Sequence, residues 1–312
     1  MNNSDPLLNP EGGDAAWRAD IEPALDNLME RIIERSNVQR AWARVKSNKG
    51  APGSDGMTLD DFPADAREHW SEIHQSLRDG SYQPRPVRRI VIPKRRGQGE
   101  RKLGVPCVVD RVIQQAILQV LTPIFDPEVS ESSFGCRPRH SAPGAIRQVK
   151  AFVKAGYRVA VALDLEKCFD SVNHDVLLSR IARKVTDKVL LGLIGRYLRA
   201  GVLVGSTVQA TAWGTPQGYP LSPLLSYILL DDLDKELEAR GHRFVRYVDD
   251  WVILVKSKRA GQRVMAKISR YLSQKLKLKV NQDKSRVVKI EALEFLGFTF
   301  RGIRIFVCDR AP

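Results

Sequence analysis

Phe244-Val-Arg-Tyr-Val-Asp-Asp-Trp-Val-Ile-Leu-Val255 is the stretch on which the fold turns. Two apolar arms rich in β-branched and aromatic residues flank Asp249-Asp250, the pattern of a β-hairpin that presents two acids at its tip. Adjacent carboxylates between hydrophobic strands are costly unless a cation neutralises them. The dipeptide alone signifies little, because Asp231-Asp232 repeats it inside a predicted helix. That helix runs over Leu221 to Arg240, with Ser222 as cap, Pro223 as first residue and Leu225, Ile228, Leu229, Leu233 and Leu237 buried. Asp231-Asp232 is expected on its solvated face.

A third acid ends Tyr157-Arg-Val-Ala-Val-Ala-Leu-Asp164, which has strand composition. Val159, Val161 and Leu163 share one face, and Ala160, Ala162 and Asp164 the other. If this strand neighbours the hairpin in one sheet, Asp164 meets Asp249 and Asp250. Phosphoryl transfer from a nucleotide calls for such convergence, since two divalent ions must offset charge on the attacking and leaving oxygens. Hard oxygen donors suit Mg²⁺.

Outward from this centre the chain of 312 residues is 43% apolar and has a formal charge of +14, from 50 Lys and Arg against 36 Asp and Glu. A folded protein with a polyanionic partner is implied, nucleic acid before an anionic membrane surface. No run of eighteen apolar residues and no secretion signal occurs, so a cytoplasmic protein is expected. Cys107, Cys136, Cys168 and Cys308 form no Cys-x-x-Cys pair, and the five histidines show no metal-ligand spacing.

Residues 1–16 read as a flexible tail. Ile21, Leu25, Leu28, Met29, Ile32 and Ile33 predict a helix beginning near Trp17, followed by a second series at Val38, Trp42 and Val45. Arg85 to Lys102 holds eight basic residues and one acid around the turn Gly97-Gln-Gly99, a basic β-hairpin. A helix is predicted from Val108 to Leu121, ended by Pro123 and Pro127. A basic amphipathic helix with Val264, Ile268, Tyr271 and Leu272 follows the acidic hairpin, and short strands cover Val287 to Ile290 and Phe295 to Phe300.

Tyr247-Val-Asp-Asp250 resembles the catalytic tetrad of reverse transcriptases. The surrounding blocks resemble, in order, the proteins encoded by bacterial group II introns: Gly50-Ala-Pro-Gly-Ser-Asp-Gly56, Tyr82-Gln-Pro-Arg-Pro-Val-Arg-Arg89, Ile92-Pro-Lys94, Leu103-Gly-Val-Pro106 with Asp110-Arg111, Ser133-Phe-Gly-Cys-Arg-Pro138, Asp164 to His174, Gly214-Thr-Pro-Gln-Gly218 with Pro220-Leu-Ser-Pro223, Lys284, and Phe295-Leu-Gly-Phe298. This resemblance implies an α+β fold, the fingers and palm of a right-hand polymerase, with the palm an antiparallel sheet packed on helices. Fingers are expected over 17–155 and palm over 156–312, with interleaving elements allowed and the family's helical thumb absent.

The implied activity is RNA-directed DNA polymerase, a nucleotidyltransferase of group II intron or intron-derived type that copies an RNA template from a DNA or RNA primer and dNTPs. Two Mg²⁺ ions, with Mn²⁺ as substitute, would be held by Asp164, Asp249, Asp250 and the backbone carbonyl of Leu165. Phe169 matches an aromatic gate beneath the deoxyribose. Lys94 and Arg101 match residues that hold the triphosphate, with Lys102 an alternative to Arg101 because the spacing is one residue longer. Gln217 matches a glutamine beside the nucleotide pocket, and Lys284 a proton donor to pyrophosphate. Solvated basic turns and ordinary core packing remain the plain alternatives for these residues. Val248, Tyr219 and Cys136 depart from the family's usual alanine, glycine and aromatic. A maturase that binds intron RNA, a domesticated enzyme of DNA repair or phage defence, and a homodimer stay open, and no membrane role is implied.

Overall fold

A computed structural model describes residues 27–93, 100–211, 213–215 and 218–307. The predicted tail, the helix start at Trp17, Lys94, the turn Gly97-Gln-Gly99, Gln217 and Cys308 lie outside the described residues.

The chain begins with α1 (Leu28–Ile33) and α2 (Arg35–Ser47), separated where Glu34 becomes extended at ψ 133°. After α3 (Phe62–Arg78) come β1 (Val87–Pro93) and β2 (Glu100–Val105), the predicted basic hairpin, paired antiparallel with Ile92 opposite Arg101. α4 (Val108–Phe125) runs through Pro123 instead of stopping before it. Proline removes its own N–H donor and crowds the carbonyl four residues back, but the buried stripe of Ile113, Ile117, Leu121 and Phe125 holds the last turn in place. This helix is long and apolar enough to cross a membrane by composition, but most of it is buried in the core against α1 and α2.

α5 (Ala142–Lys154) leads to β3 (Val159–Leu163), then α6 (His174–Ile181) and α7 (Lys188–Arg199). Two short strands that the sequence did not suggest follow, β4 (Val202–Val204) and β5 (Thr207–Gln209). β4 joins β1 in parallel, so the sheet β2-β1-β4-β5 is built from distant parts of the chain. α8 (Ser222–Ala239) is capped at Leu221, with the predicted cap Ser222 as its first residue. β6 (Arg243–Tyr247), β7 (Asp250–Val255), α9 (Lys258–Tyr271), β8 (Arg286–Lys289), β9 (Glu294–Phe295), β10 (Phe298–Arg301) and β11 (Arg304–Val307) complete the order.

The central sheet, in order β6-β7-β3-β8, is antiparallel throughout. Its two faces belong to two cores. Val161, Leu163, Phe244, Trp251 and Ile253 pack with α6, α8 and α9, while Ala160, Val245, Val252 and Leu254 pack with α5 and β9–β10. The α+β architecture with an antiparallel sheet on helices is the one expected from the sequence.

Candidate active site

β3 and β7 pair with Leu163 opposite Trp251, so Asp164 and Asp250 stand at the same end of neighbouring strands. Asp249 lies beside them in the two-residue turn between Tyr247 and Asp250, which pair with each other. The three predicted acids therefore converge. The Asp164 backbone is fixed on both sides: its N–H donates to Ser285 Oγ at 3.0 Å, and its carbonyl accepts from the Asn281 N–H at 2.9 Å. The Glu166 N–H donates to Lys279 O at 2.9 Å, completing a bridge around Leu165 and Val280. In that pattern the Leu165 carbonyl points away from the bridge and is free to face a ligand.

The side chains are poorly compensated. Asp164 Oδ2 is shielded from solvent and receives no hydrogen bond, although Lys284 Nζ stands 3.3 Å away. Burial pushes the Asp249 carboxyl above the usual range, and the Asp164 charge adds to the shift. Asp250 is driven up to about 7, by the surrounding protein mass first and then by the charges of Asp249 and Asp164, although its side chain reaches solvent. A divalent cation would resolve all three conditions, and the oxygen donors are of the hard type such an ion prefers. Among the described residues no three side chains already form a closed ligand cage, so an ion taken up here would require the acids to draw together.

The turn that carries Asp249 is strained and clamped. Val248 adopts φ +59°, a left-handed conformation that a β-branched residue takes at a cost of about 1–3 kcal/mol. Gly135 backs the turn so closely that a Cβ there would lie 2.3 Å from the Val248 nitrogen. The segment before it is stitched to β6, with the Phe134 N–H on Arg246 O and the Arg246 N–H on Ser132 O, both at 2.8 Å. Beneath the turn, fully buried Arg246 donates from Nη1 to Val248 O at 2.9 Å and from Nε to Asp234 Oδ2 at 2.7 Å. Trp251 Nε1 donates to the other Asp234 oxygen at 2.9 Å. Sequence reasoning missed this triad. The signals were a cation inside a buried strand and an acid on the apolar side of α8.

Phe169 sits half-buried in the 3₁₀ turn Cys168–Asp170, five residues after Asp164. The loop carrying Gly214-Thr215 is pressed onto it: the Thr215 N–H donates to Phe169 O at 2.6 Å, and Gly214, at φ +90°, has no room for a Cβ against Asp170. Buried His174 fixes the same loop through Nε2 on Gly214 O at 2.7 Å. At the loop's far end Gly218 meets Gly104 of β2, where a Cβ would lie 2.4 Å from the Gly104 oxygen. Gly214-Thr215 thus rests on the Phe169 turn, and Gly218 on the basic hairpin. Arg101 and Lys102 are both exposed on β2 and point to opposite faces, so only one of them can face the cleft.

Tyr219, which stands where the family usually has glycine, turns inward, 4% exposed and edge-on to Tyr197, whose hydroxyl reaches buried Asp110. One expectation changes. Asp231 and Asp232 are not solvated: each side chain is 13% exposed, Asp231 paired with Lys235 and Asp232 with Arg180 and Arg183. The packing of α6 against α8 covers this face and delivers the two arginines.

Residues 92–300 match the family model described as reverse transcriptase (RNA-dependent DNA polymerase). The chain belongs to the reverse transcriptase family. Protein YkfC of Escherichia coli is 30% identical, over 93% of this chain and 86% of its own length. The group II intron-encoded protein LtrA of Lactococcus lactis is also 30% identical, over 90% of this chain but 57% of its own. Similarity to a group II intron-encoded protein makes this a reverse transcriptase of the group II intron type. Among solved structures, the telomerase of Candida albicans superimposes with a TM-score of 0.58 at 14% identity, covering 80% of this chain and 51% of that one, a likeness of fold.

Proposed function

We propose that this reverse transcriptase extends a primer along an RNA template by nucleotidyl transfer at Asp164, Asp249 and Asp250. The observation that carries the proposal is the shielded Asp164 Oδ2, paired with exposed Lys284 but without a hydrogen bond, beside two carboxylates whose pKa values are raised. Two Mg²⁺ ions held by these acids and the Leu165 carbonyl would activate the primer hydroxyl and stabilise the leaving oxygen. The primer 3′ hydroxyl loses its proton to water as its oxygen bonds to the α-phosphorus of the dNTP, the α–β bridge breaks, and pyrophosphate leaves with its electrons. Lys284, which stands 3.3 Å from Asp164, would donate a proton to that leaving group. Phe169, pinned by the Gly214 loop, closes the space a ribose 2′-hydroxyl would need. Lys94, Arg101 or Lys102 and Gln217 would hold the triphosphate.

The test is primer extension on matched RNA and DNA templates with Mg²⁺ and dNTPs. Template-dependent product on RNA, lost on chelation, is expected. Absence of any addition on either template would overturn the assignment.

A further inference from the structure

The back of the palm carries a second charged surface, on the helix that follows the catalytic hairpin. Residues 256–279 contain nine Lys and Arg and no Asp or Glu, and all nine are exposed. Among the described residues none of the nine takes part in an ion pair; Lys256 lies over the ring of Tyr157 at 5.7 Å. The acids that act on Tyr271 at the end of α9, Asp232 and Glu236, are already paired with Arg180, Arg183 and Arg240.

The helix is also a rigid mount. Gly261, Val264 and Ile268 are buried against the central sheet, and a Cβ at Gly261 would lie 2.5 Å from Val287 Cγ1. With its apolar side seated, α9 turns Arg259, Arg263, Lys267 and Arg270 outward at spacings of four, four and three, a ridge along a helix of about 21 Å. Like charges at these spacings repel, and an ordinary solvated face intersperses both signs. A polyanion is the complement.

We propose that this face docks the phosphate backbone of double-helical RNA. Its outward residues include no aromatic ring on which unpaired bases could stack, which disfavours single strands. Its apolar side is already packed on the sheet, so the helix has nothing to insert into a bilayer. RNA is favoured over DNA because the template is the long polymer the proposed reaction brings, and its uncopied remainder folds on itself. α9 covers the sheet face of Val161 and Ile253, whereas Asp164 continues the opposite face, so RNA held here leaves the catalytic cleft open. The proposal rests on the polymerase reading for its choice of RNA and on the surface alone for its place.

The experiment compares the full chain with Arg259→Gln/Arg263→Gln/Lys267→Gln/Arg270→Gln, measuring affinity for a long RNA hairpin across a salt series. The neutralised variant should bind at least about tenfold more weakly, with the salt slope shallower by about 3 log units per log unit because four phosphates go unneutralised. Extension on a short unstructured template should not change, and a charge-keeping Arg259→Lys/Arg263→Lys/Arg270→Lys variant should bind like the wild type. Unchanged hairpin affinity and slope in the Gln variant would overturn the proposal. So would a loss of binding confined to phosphatidylserine vesicles. A chain that adds no nucleotides yet loses hairpin binding on neutralisation would sink the polymerase reading and leave the docking face standing.

Discussion

Asp231-Asp232 and Asp249-Asp250 are the same dipeptide in two surroundings. On α8 the pair is neutralised by Lys235, Arg180 and Arg183 and holds helices together. At the hairpin the pair faces another acid, Asp164, with one lysine nearby and its protons held more tightly than usual. A carboxylate supplied with protein cations serves stability. One left short of them beside other carboxylates is a place for a cation from outside.

The largest effect expected from this contrast is on chemistry. Asp249→Asn should lower single-turnover dNTP addition by roughly 10³-fold or more while primer-template binding stays near wild type, because the proposed metal ligand disappears and every phosphate contact remains. Asp232→Asn should leave the rate per folded molecule unchanged and cost about 1–3 kcal/mol in denaturant unfolding. Equal rate losses in the two variants would erase the distinction.

Next in size is the clamp under the turn. Arg246→Met leaves Asp234 buried and unpaired and should cost about 3–5 kcal/mol. Removing both charges together, as Arg246→Met/Asp234→Leu, should recover part of that stability but not the rate, since Val248 O loses its donor. Recovery of full activity in the double variant would reduce the triad to packing.

A smaller effect is expected at Phe169, the proposed sugar gate. Phe169→Val should raise the ratio of rNTP to dNTP incorporation in steady-state assays with little change in dNTP rate; an unchanged ratio would make Phe169 core alone.

The smallest effect concerns stability without metal. The fold raises Asp250 from 3.8 to about 7, so the folded chain holds that proton more tightly than the unfolded one. Stability should therefore fall as pH rises from about 4 to about 7 and level off above. Asp250→Asn removes this penalty: it should melt higher than wild type at pH 8 in chelator, match it near pH 4, and lose its advantage when Mg²⁺ is added. A wild type that melts higher at pH 8 without metal would contradict the sign.

Much of this was legible because the decisive pattern is local. Alternation in Val159 to Leu163 and the apolar arms around Asp249-Asp250 specify strands, and strands that pair at one end bring Asp164 to the hairpin. What the sequence hid depends on partners far along the chain. Arg246 looked like one more cation until α8 supplied Asp234, and Asp231-Asp232 looked solvated until α6 covered it. β4 and β5 are three residues each, too short for a periodic signal, and form because β1 offers an edge. Val248 broke a local rule, and the rule failed where the site is strained.

The most direct test of the claim that the three acids await a cation is Mn²⁺ titration followed by electron paramagnetic resonance, with primer-template and dNTP bound. The wild type should take up two ions per chain, Asp249→Asn should lose tight binding, and Asp232→Asn should titrate like the wild type. Undiminished uptake by Asp249→Asn, or equal loss in Asp232→Asn, would contradict the account.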